Sequence, residues 1–316
     1  MYNIGIDIGG SKIAFGIVDE DGNIVYKDQI KNSGDISAED EIKNIAEVLE
    51  KLMGQYNLKY SDINSIGIGF PGPVNKKGIV VGTNVSINNM NLAEELGKFI
   101  KLPIYVENDA NCAVVGEYVH GSLKEAKDVA FVTLGTGVGG GLIIDGKLYV
   151  GADGGAAEFG HQVIVMNGKR CGCGRCGCLE SYASTKAWED RIREKLEKNK
   201  DSKIYELTGG NPENVNGKVI FQAIDANDEF AMESYREHLK YIALGINNLI
   251  AIFQPEIIAI SGGITGVGEK LLNPLIAEIK EEMKDCKINI KNTEIKIAEL
   301  GNDAGIIGAA EIYRFK

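Results

Sequence analysis

The sequence predicts an α/β protein made of two similar halves, each with the element order β-β-β-α-β-α-β. The first observation is that the pattern of strand, glycine corner, strand, Asp-Gly turn and strand occurs twice, at 4–30 and at 129–150. The second is that each half later has a buried strand ending in small residues, at 63–73 and 255–264. Such a recurrence indicates an internal duplication. A cysteine-rich stretch at 158–180 follows the third strand of the second half and is interpreted as an insertion.

In the first half, apolar runs around the Gly9–Gly10 corner and the Asp21–Gly22 turn predict a three-stranded antiparallel meander over 4–30. Apolar residues spaced for one helix face follow at 38–57. The remaining predicted elements are a buried strand at 63–73 ending in Pro-Gly-Pro, a polar loop at 83–91, a helix at 92–100, a strand at 102–109 and a helix from Ala110 to about His120.

The second half repeats this order with longer helical segments. Helices are expected at 181–199, at 217–226 and from about 228 to 253, and a strand is expected over 293–301. A last helix rich in small residues follows Gly301, and we expect it to pack back onto the first half.

Composition limits the location and the partners of the chain. The 316 residues are 44 % hydrophobic and 25 % charged, an ordinary balance for a soluble protein, and no apolar run reaches the ~18 residues of a membrane span. The first residues are typical of a strand and a glycine loop rather than a signal peptide, so a cytoplasmic protein is expected. A net charge of −11 disfavours nucleic acid as the main partner, since such binding needs a basic face. A nucleotide is still compatible, because local backbone N–H groups can hold phosphate.

The stretch 158–180 predicts a metal site. Three cysteines in a C-x-C-x4-C array, with a histidine ten positions upstream, make the Cys3His set that structural zinc sites use. Its members are His161, Cys171, Cys173 and Cys178. Glu158 and Glu180 bracket the stretch, so an ion bound here would also fix two carboxylates. Two alternatives stay open: a disulfide cluster, which reducing cytosol disfavours, and replacement of the histidine by Cys176.

Three glycine corners follow apolar strands and favour phosphate binding. Consecutive backbone N–H groups form an anion nest, and glycine lets a phosphate approach them closely. Ser11, Thr133 and Thr136 add hydroxyl donors, and the carboxylate of Asp7 suits Mg²⁺. One such corner could equally be an ordinary hairpin turn. The residues concerned are Asp7, Gly9, Gly10, Ser11, Lys12, Thr133, Gly135, Thr136, Gly137, Gly139, Gly262 and Gly263.

Two common nucleotide motifs are excluded. The segment Gly135-x-Gly137-x-x-Gly140 matches the dinucleotide fingerprint, but a strand follows it instead of the required helix. The first corner has the glycine spacing of a Walker A motif, but Ser11–Lys12 reverses the required Lys-Ser order.

Taken together, the motifs resemble the ROK family of sugar kinases, and within it the ATP-dependent glucokinases of bacteria. The motifs are Asp7-Ile-Gly-Gly-Ser-Lys12, Glu107-Asn-Asp109, Leu134-Gly-Thr-Gly-Val-Gly-Gly-Gly141, Glu158-Phe-Gly-His161 and Cys171-Gly-Cys-Gly-x-x-Gly-Cys-Leu-Glu180. The resemblance covers essentially the whole chain. It implies an actin-like (ribonuclease H-like) ATPase fold with a small lobe, 1–117 plus 302–316, and a large lobe, 118–301. It also implies ATP–Mg²⁺ as phosphoryl donor, structural zinc, a free hexose as acceptor, and a homodimer or a dimer of dimers.

The resemblance also assigns roles to individual residues. Asp109 becomes the general base in the conversion of glucose to glucose 6-phosphate. The corners at 9–10 and 135–141 hold phosphates, and Gly262 and Gly263 line the adenosine. His161 is expected to use one ring nitrogen for zinc and the other for a sugar hydroxyl. The implied sugar-binding residues are Gly72, Asn84, Asn108, Asp109, Glu158, His161 and Glu180.

Alternatives to these roles stay open. Asn108 or Asp109 could instead cap the helix that begins at Ala110. Ala157 stands where glycine is usual in glucokinases, and the loop 83–91 lacks a tryptophan often present there. Kinases for N-acetylmannosamine, N-acetylglucosamine, allose or fructose are therefore alternatives. A sugar-responsive transcriptional regulator of the same family is a further one, disfavoured because no helix-turn-helix precedes the first strand.

Overall fold

The computed structural model describes residues 1–32, 36–82, 85–124, 126–287 and 292–316. They divide into two compact units, Met1–Phe131 with Gly140–Ala157 and Ala298–Lys316, and Val132–Gly139 with Glu158–Ile297. The lobe boundaries predicted from the sequence stay a prediction; the first compact unit extends beyond the predicted small lobe. None of the helices in these described ranges is long and apolar enough to cross a membrane.

The first unit is built on a five-stranded sheet with the order β3-β2-β1-β4-β7. Its strands are β1 (Tyr2–Ile8), β2 (Lys12–Val18), β3 (Ile24–Lys31), β4 (Ile63–Phe70) and β7 (Ile104–Asn108); the short strands β5 (Ile79–Val80) and β6 (Met90–Asn91) pair with each other. The predicted meander is confirmed, because β1, β2 and β3 pair antiparallel. Strands β4 and β7 run parallel to β1, so the carboxyl ends of these three strands lie at one end of the sheet.

Among its described residues, the first unit has four α-helices: α1 (Ala38–Gln55), α2 (Leu92–Leu96), α3 (Asp109–His120) and α10 (Ala304–Glu311). The first begins where Ser37 caps it, since the Ser37 hydroxyl accepts from the Asp40 N–H at 3.1 Å. All four were expected from the sequence, although α2 is shorter than its predicted range.

Helix α10 packs against β1, β4 and α3 through glycines. A Cβ at Gly5 would lie 1.9 Å from the carbonyl oxygen of Ile306, and one at Gly67 would lie 1.7 Å from that of Ala309. A Cβ at Gly308 would lie 1.6 Å from the carbonyl oxygen of Cys112. Real side chains cannot approach so closely, so these glycines set the distance of α10 from the sheet and from α3. The last helix therefore does pack onto the first half, as predicted.

A second five-stranded sheet has the order β10-β9-β8-β11-β12. Its strands are β8 (Val129–Leu134), β9 (Val138–Ile144), β10 (Lys147–Leu148), β11 (Ile257–Ser261) and β12 (Glu294–Ile297). In both sheets the third strand in sequence lies at one edge, followed by the second, the first, the fourth and the fifth, leaving the short pair β5–β6 aside. The same order in both sheets confirms the internal duplication.

The helices of the second unit are α4 (Glu180–Ala183), α5 (Thr185–Lys195), α6 (Lys203–Thr208), α7 (Gly217–Asp225), α8 (Glu229–Phe253) and α9 (Glu269–Glu282). The three predicted segments are confirmed, the first being divided at Ser184. The sequence analysis did not predict α6, and for α9 it predicted a helix between the fourth and fifth strands without giving its bounds. Helix α9 contains Pro274, which has no N–H for the carbonyl of Lys270 four residues earlier. The Tyr235 hydroxyl on α8 donates to that carbonyl at 2.7 Å, so the helix continues past the proline.

Candidate functional site

Four metal-ligating side chains converge in the second unit. They are His161, Cys171, Cys173 and Cys178, and their ligand atoms lie within 4.8 Å of one another. Sγ of Cys173 is 3.6 Å from Sγ of Cys178, and Sγ of Cys171 is 3.6 Å from Nδ1 of His161. A tetrahedral site with Zn–S bonds of about 2.3 Å places its ligand atoms about 3.8 Å apart. The four residues therefore fit one zinc ion.

The structure also bears on the two alternatives for this cluster. All six cysteines are free, and the 3.6 Å sulfur separation is far longer than the ~2.05 Å of a disulfide. Cys176 is exposed and lies outside the group of ligands that converge among the described residues. The histidine, rather than Cys176, is thus the fourth side chain of the cluster.

Glycines bend the backbone around the cluster. Gly174 and Gly177 have φ angles of 92° and 82°, which side-chain-bearing residues rarely adopt. A Cβ at Gly177 would also lie 1.7 Å from the carbonyl oxygen of Val165. The N–H of Cys171 donates to the carbonyl of Arg175 at 2.9 Å, which closes the loop on itself.

The thiols of the cluster differ in their proton affinity. Burial raises the pKa of Cys178 to about 12, whereas a hydrogen bond from the Arg175 backbone N–H lowers that of Cys173. Metal ligation requires thiolates, so binding of a cation at this cluster releases protons and depends on pH.

Glu180 connects the cluster to the glycine corner between β8 and β9. Its Oε2 accepts from the Val138 N–H at 3.0 Å, and its Oε1 is 3.6 Å from Sγ of Cys171. A Cβ at Gly160 would lie 2.1 Å from the Val138 carbonyl oxygen, so the backbones also touch there. Sequence reasoning missed the roles of Val138 and Gly160; the glycine inside Glu158-Phe-Gly-His161 was the available signal.

Glu158 lies just before the short 3-10 turn Phe159–His161. Its side chain is exposed, and its carbonyl accepts from the His161 N–H at 3.0 Å. Ala157, immediately before it, has a φ of 62°. A left-handed conformation costs a non-glycine residue about 1–2 kcal/mol, which explains why glycine suits this position.

The second and third glycine corners lie against each other within the second unit. A Cβ at Gly262, whose φ is 107°, would lie 2.0 Å from the carbonyl oxygen of Leu134, the last residue of β8. Apart from the adjoining residues of the chain, no described atom lies within 4 Å of an ideal Cβ at Gly135 or at Gly263, so the backbone there is open to a ligand. Thr136 is exposed at the same corner and Thr133 is half-buried.

The first glycine corner belongs to the first unit and joins β1 to β2. The N–H of Gly9 donates to the Lys12 carbonyl at 2.9 Å, and Gly10, Ser11 and Lys12 are exposed. Asp7 precedes the corner at the end of β1. Burial raises the pKa of its carboxyl, against a smaller opposing effect of Lys12, so a cation beside Asp7 would favour the ionised form.

Asn108 and Asp109 stand where β7 ends and α3 begins. Oδ1 of Asn108 accepts from the N–H groups of Ala110 and Asn111 at 3.0 and 3.1 Å, so Asn108 is the helix cap. Its Nδ2 donates to the carbonyl of Gly72 at 3.3 Å, which brings those two predicted site residues together. Asp109 is the first residue of the helix, a position that favours a carboxylate, and it is half-buried. The capping alternative therefore holds for Asn108, with Oδ1 of Asp109 also accepting from the Ala110 N–H at 2.8 Å.

Glu107 is a further residue of this junction whose role the sequence analysis missed. Strand register places Asp7, Gly69 and Glu107 side by side across β1, β4 and β7. The thiol of Cys112 lies over Gly69, 3.5 Å from its ideal Cβ position. Burial raises the pKa of Cys112 well above its usual value, and the charges of Glu107, Asp7 and Asp109 add to the shift. Asn84, the remaining predicted sugar ligand, lies outside the described residues.

The ROK family model matches residues 3–315. The chain belongs to the ROK family. It is 35 % identical over 315 residues to a glucokinase of Streptomyces coelicolor, covering 98 % of this chain and 97 % of that protein. It is also 35 % identical over 314 residues to a glucokinase of Thermotoga maritima, covering 98 % and 96 %. A ROK family glucokinase from Streptomyces griseus, crystallised with glucose and AMPPNP, matches with a TM-score of 0.83 at 33 % identity and 100 % coverage of both chains.

Family membership confirms the resemblance drawn from the motifs, and with it the actin-like fold. The matching order of strands in the two sheets is the duplication on which that fold is built.

Proposed function

We propose that this ROK protein is an ATP-dependent glucokinase, which transfers the γ-phosphoryl group of ATP to the 6-hydroxyl of free glucose. Similarity to glucokinases over nearly the full length supports the activity. The arrangement at the start of α3 supports the mechanism. Asn108 makes the two capping hydrogen bonds, so the cap does not depend on Asp109, although Oδ1 of Asp109 also accepts from the Ala110 N–H at 2.8 Å.

Asp109 is proposed as the general base. The sugar oxygen forms a bond to the γ-phosphorus, the bond from that phosphorus to the bridging oxygen of ADP breaks, and the hydroxyl proton passes to Asp109. Positioned proton transfer of this kind contributes about 10²–10⁴ in rate.

A hexose presents a ring of hydroxyls, so its site needs several fixed donors and acceptors. The side chains and backbone proposed to supply them are Gly72, Asn84, Asn108, Asp109, Glu158, His161 and Glu180. The proposed nucleotide ligands are Asp7, Gly9, Gly10, Ser11, Lys12, Thr133, Gly135, Thr136, Gly137, Gly139, Gly262 and Gly263. Asp7 is proposed as the partner of the Mg²⁺ that accompanies ATP.

The cluster of His161, Cys171, Cys173 and Cys178 is proposed to hold structural zinc. Nδ1 of His161 lies on the side of Cys171, which leaves Nε2 for a sugar hydroxyl. An ion here would stiffen the segment that carries Glu158 and Glu180. The two predicted lobes, a cytoplasmic location and a homodimer or dimer of dimers complete the proposal.

The test is an assay of ADP formation with separate sugars: glucose, mannose, fructose, allose, N-acetylglucosamine and N-acetylmannosamine. The expected result is the highest kcat/KM with glucose and slow ADP formation when no sugar is present. A higher kcat/KM with one of the other sugars would replace glucose but keep the kinase. Sugar binding without ADP formation from any of them would refute the kinase and favour the regulator alternative.

A further inference from the structure

The carboxylate of Glu107 lies beneath the junction of β7 and α3 and is only 2 % exposed. Its Oε1 accepts from the backbone N–H of Asn108 at 2.8 Å and from Nδ2 of Asn111 at 3.0 Å. Asn108 is the residue before Asp109, and Asn111 is in the first turn of α3. One buried carboxylate thus holds both sides of the residue proposed as the base.

The second oxygen of Glu107 has a cationic partner from the far end of the chain. Nζ of Lys316 lies 2.6 Å from Oε2, although the two residues are 209 positions apart in sequence. The Lys316 side chain is 32 % exposed, because it borders a cavity of about 550 Å³ that Tyr105 and Phe315 also line. Solvent therefore reaches the lysine but hardly reaches the glutamate.

We infer that Glu107 and Lys316 form a positioning pair, in which the glutamate fixes the backbone of the Asn108–Asp109 junction and the lysine offsets its charge. The inference rests on the proposed role of Asp109. Neither member of the pair is proposed to contact the substrate; both act through Asn108 and Asn111, which bond to Glu107.

The charges around this junction predict opposite effects of the two members of the pair on the ionisation of Asp109. Within the first unit, four charged groups act on the Cys112 thiol: the carboxylates of Asp7, Glu107 and Asp109 and the ammonium of Lys316. Lys12 acts in turn on the carboxylate of Asp7. Removing the negative charge of Glu107 makes Asp109 easier to ionise. Removing the positive charge of Lys316 makes Asp109 harder to ionise.

The test uses Glu107→Gln, Lys316→Met and the double variant in the full chain. Glutamine keeps the shape of the buried side chain, and the exposed lysine can be shortened without leaving a buried hole. Lys98→Met is the matched control, because Lys98 pairs with Glu95 at 2.5 Å on the surface of the same unit. The measurements are kcat, the KM values for glucose and ATP, the pH profile of kcat, the Tm, and a ¹³C NMR titration of the Asp109 carboxyl.

Glu107→Gln is expected to lower kcat roughly tenfold to a hundredfold, as loss of orientation at a reacting group does, with little change in the KM for ATP. The acid limb of the pH profile and the NMR titration of Asp109 should move to lower pH in Glu107→Gln and to higher pH in Lys316→Met. The double variant should titrate close to the wild type, and Lys98→Met should change none of these measurements.

The pair would be overturned if the Asp109 titration moved in the same direction in Glu107→Gln and Lys316→Met. It would also be overturned if these variants lost Tm but kept the wild-type titration and kcat. The NMR titration does not depend on catalysis, so the two proposals fail separately. Opposite shifts together with a fully active Asp109→Asn variant would leave the charge-balancing pair in place and refute Asp109 as the base. An inactive Asp109→Asn variant without opposite shifts would refute the pair alone.

Discussion

Replacement of Asp109 by asparagine separates catalysis from helix capping at the start of α3. The two capping hydrogen bonds on Asn108, at 3.0 and 3.1 Å, survive the change, and an asparagine oxygen at position 109 can still accept from the Ala110 N–H, as Oδ1 of Asp109 does at 2.8 Å. The variant loses one negative charge at a helix N-terminus, which is worth about 0.3–1 kcal/mol of stability. Loss of a positioned base lowers kcat by about 10²–10⁴, or roughly 3–5 kcal/mol in the activation barrier. The catalytic loss should therefore exceed the stability loss severalfold.

The assay measures kcat and KM with glucose and ATP, together with the free energy of unfolding. Two control variants separate the effect of the charge change from the effect of losing the helix cap. Asp40→Asn makes the same chemical change in the exposed first turn of α1 and should leave kcat unchanged. Asn108→Ala removes the cap itself and should cost about 1 kcal/mol or more of stability. A near-normal kcat in Asp109→Asn, with a stability loss as large as that of Asn108→Ala, would refute the reasoning and make Asp109 a structural residue.

Three further predictions concern the metal, acid stability and the packing of α10. Cys178→Ser should lose bound zinc and sugar affinity together, whereas Cys286→Ser, outside the cluster, should lose neither. Elemental analysis that finds no zinc in wild-type protein purified without chelators would contradict this prediction. Burial, with a smaller effect of Arg191, lowers the pKa of His238 to about 3. Below pH 6.5, the ordinary pKa of histidine, His238 takes up a proton in the unfolded chain but not in the folded one. The stability contribution of His238 is therefore fully present above pH 6.5 and falls by up to about 1.4 kcal/mol per pH unit as the pH drops towards 3. His238→Gln should remove that part of the slope in urea unfolding at several pH values, and an unchanged slope would refute the buried neutral state. Gly308→Ala should destabilise the protein by about 1–3 kcal/mol or more, since the added Cβ meets backbone, whereas Gly54→Ala, with open space around it in α1, should be neutral or stabilising in the same thermal melts.

The sequence by itself determined the features that depend on neighbouring residues. The meander over 4–30 follows from apolar runs separated by a glycine corner and an Asp-Gly turn, which act within a few positions. The zinc ligand set also has local spacing, because three of its four members fall within eight residues. The duplication could be recognised since both copies keep the same order of local patterns.

Some predictions could not be resolved locally. The sequence placed Asn108 and Asp109 equally well as helix caps, and only the backbone direction at the end of β7 decides that Asn108 accepts from both Ala110 and Asn111, with Asp109 sharing the Ala110 N–H. The bounds of helix α9 were not predicted, and its Pro274 is accommodated by the hydroxyl of Tyr235 on a different helix. Such compensation depends on how two helices pack, which no single segment encodes.

Tertiary structure also decided which distant residues support the proposed base. Asp7 and Glu107 face the same thiol because parallel pairing through β4 brings them into register, with Gly69 leaving room between them. Lys316 reaches Glu107 across 209 positions only because α10 returns to the first sheet, and α10 approaches that closely only because Gly5, Gly67 and Gly308 have no side chains. Local sequence sets the elements and their ligand types, but burial and charge pairing are properties of groups brought together by the chain as a whole.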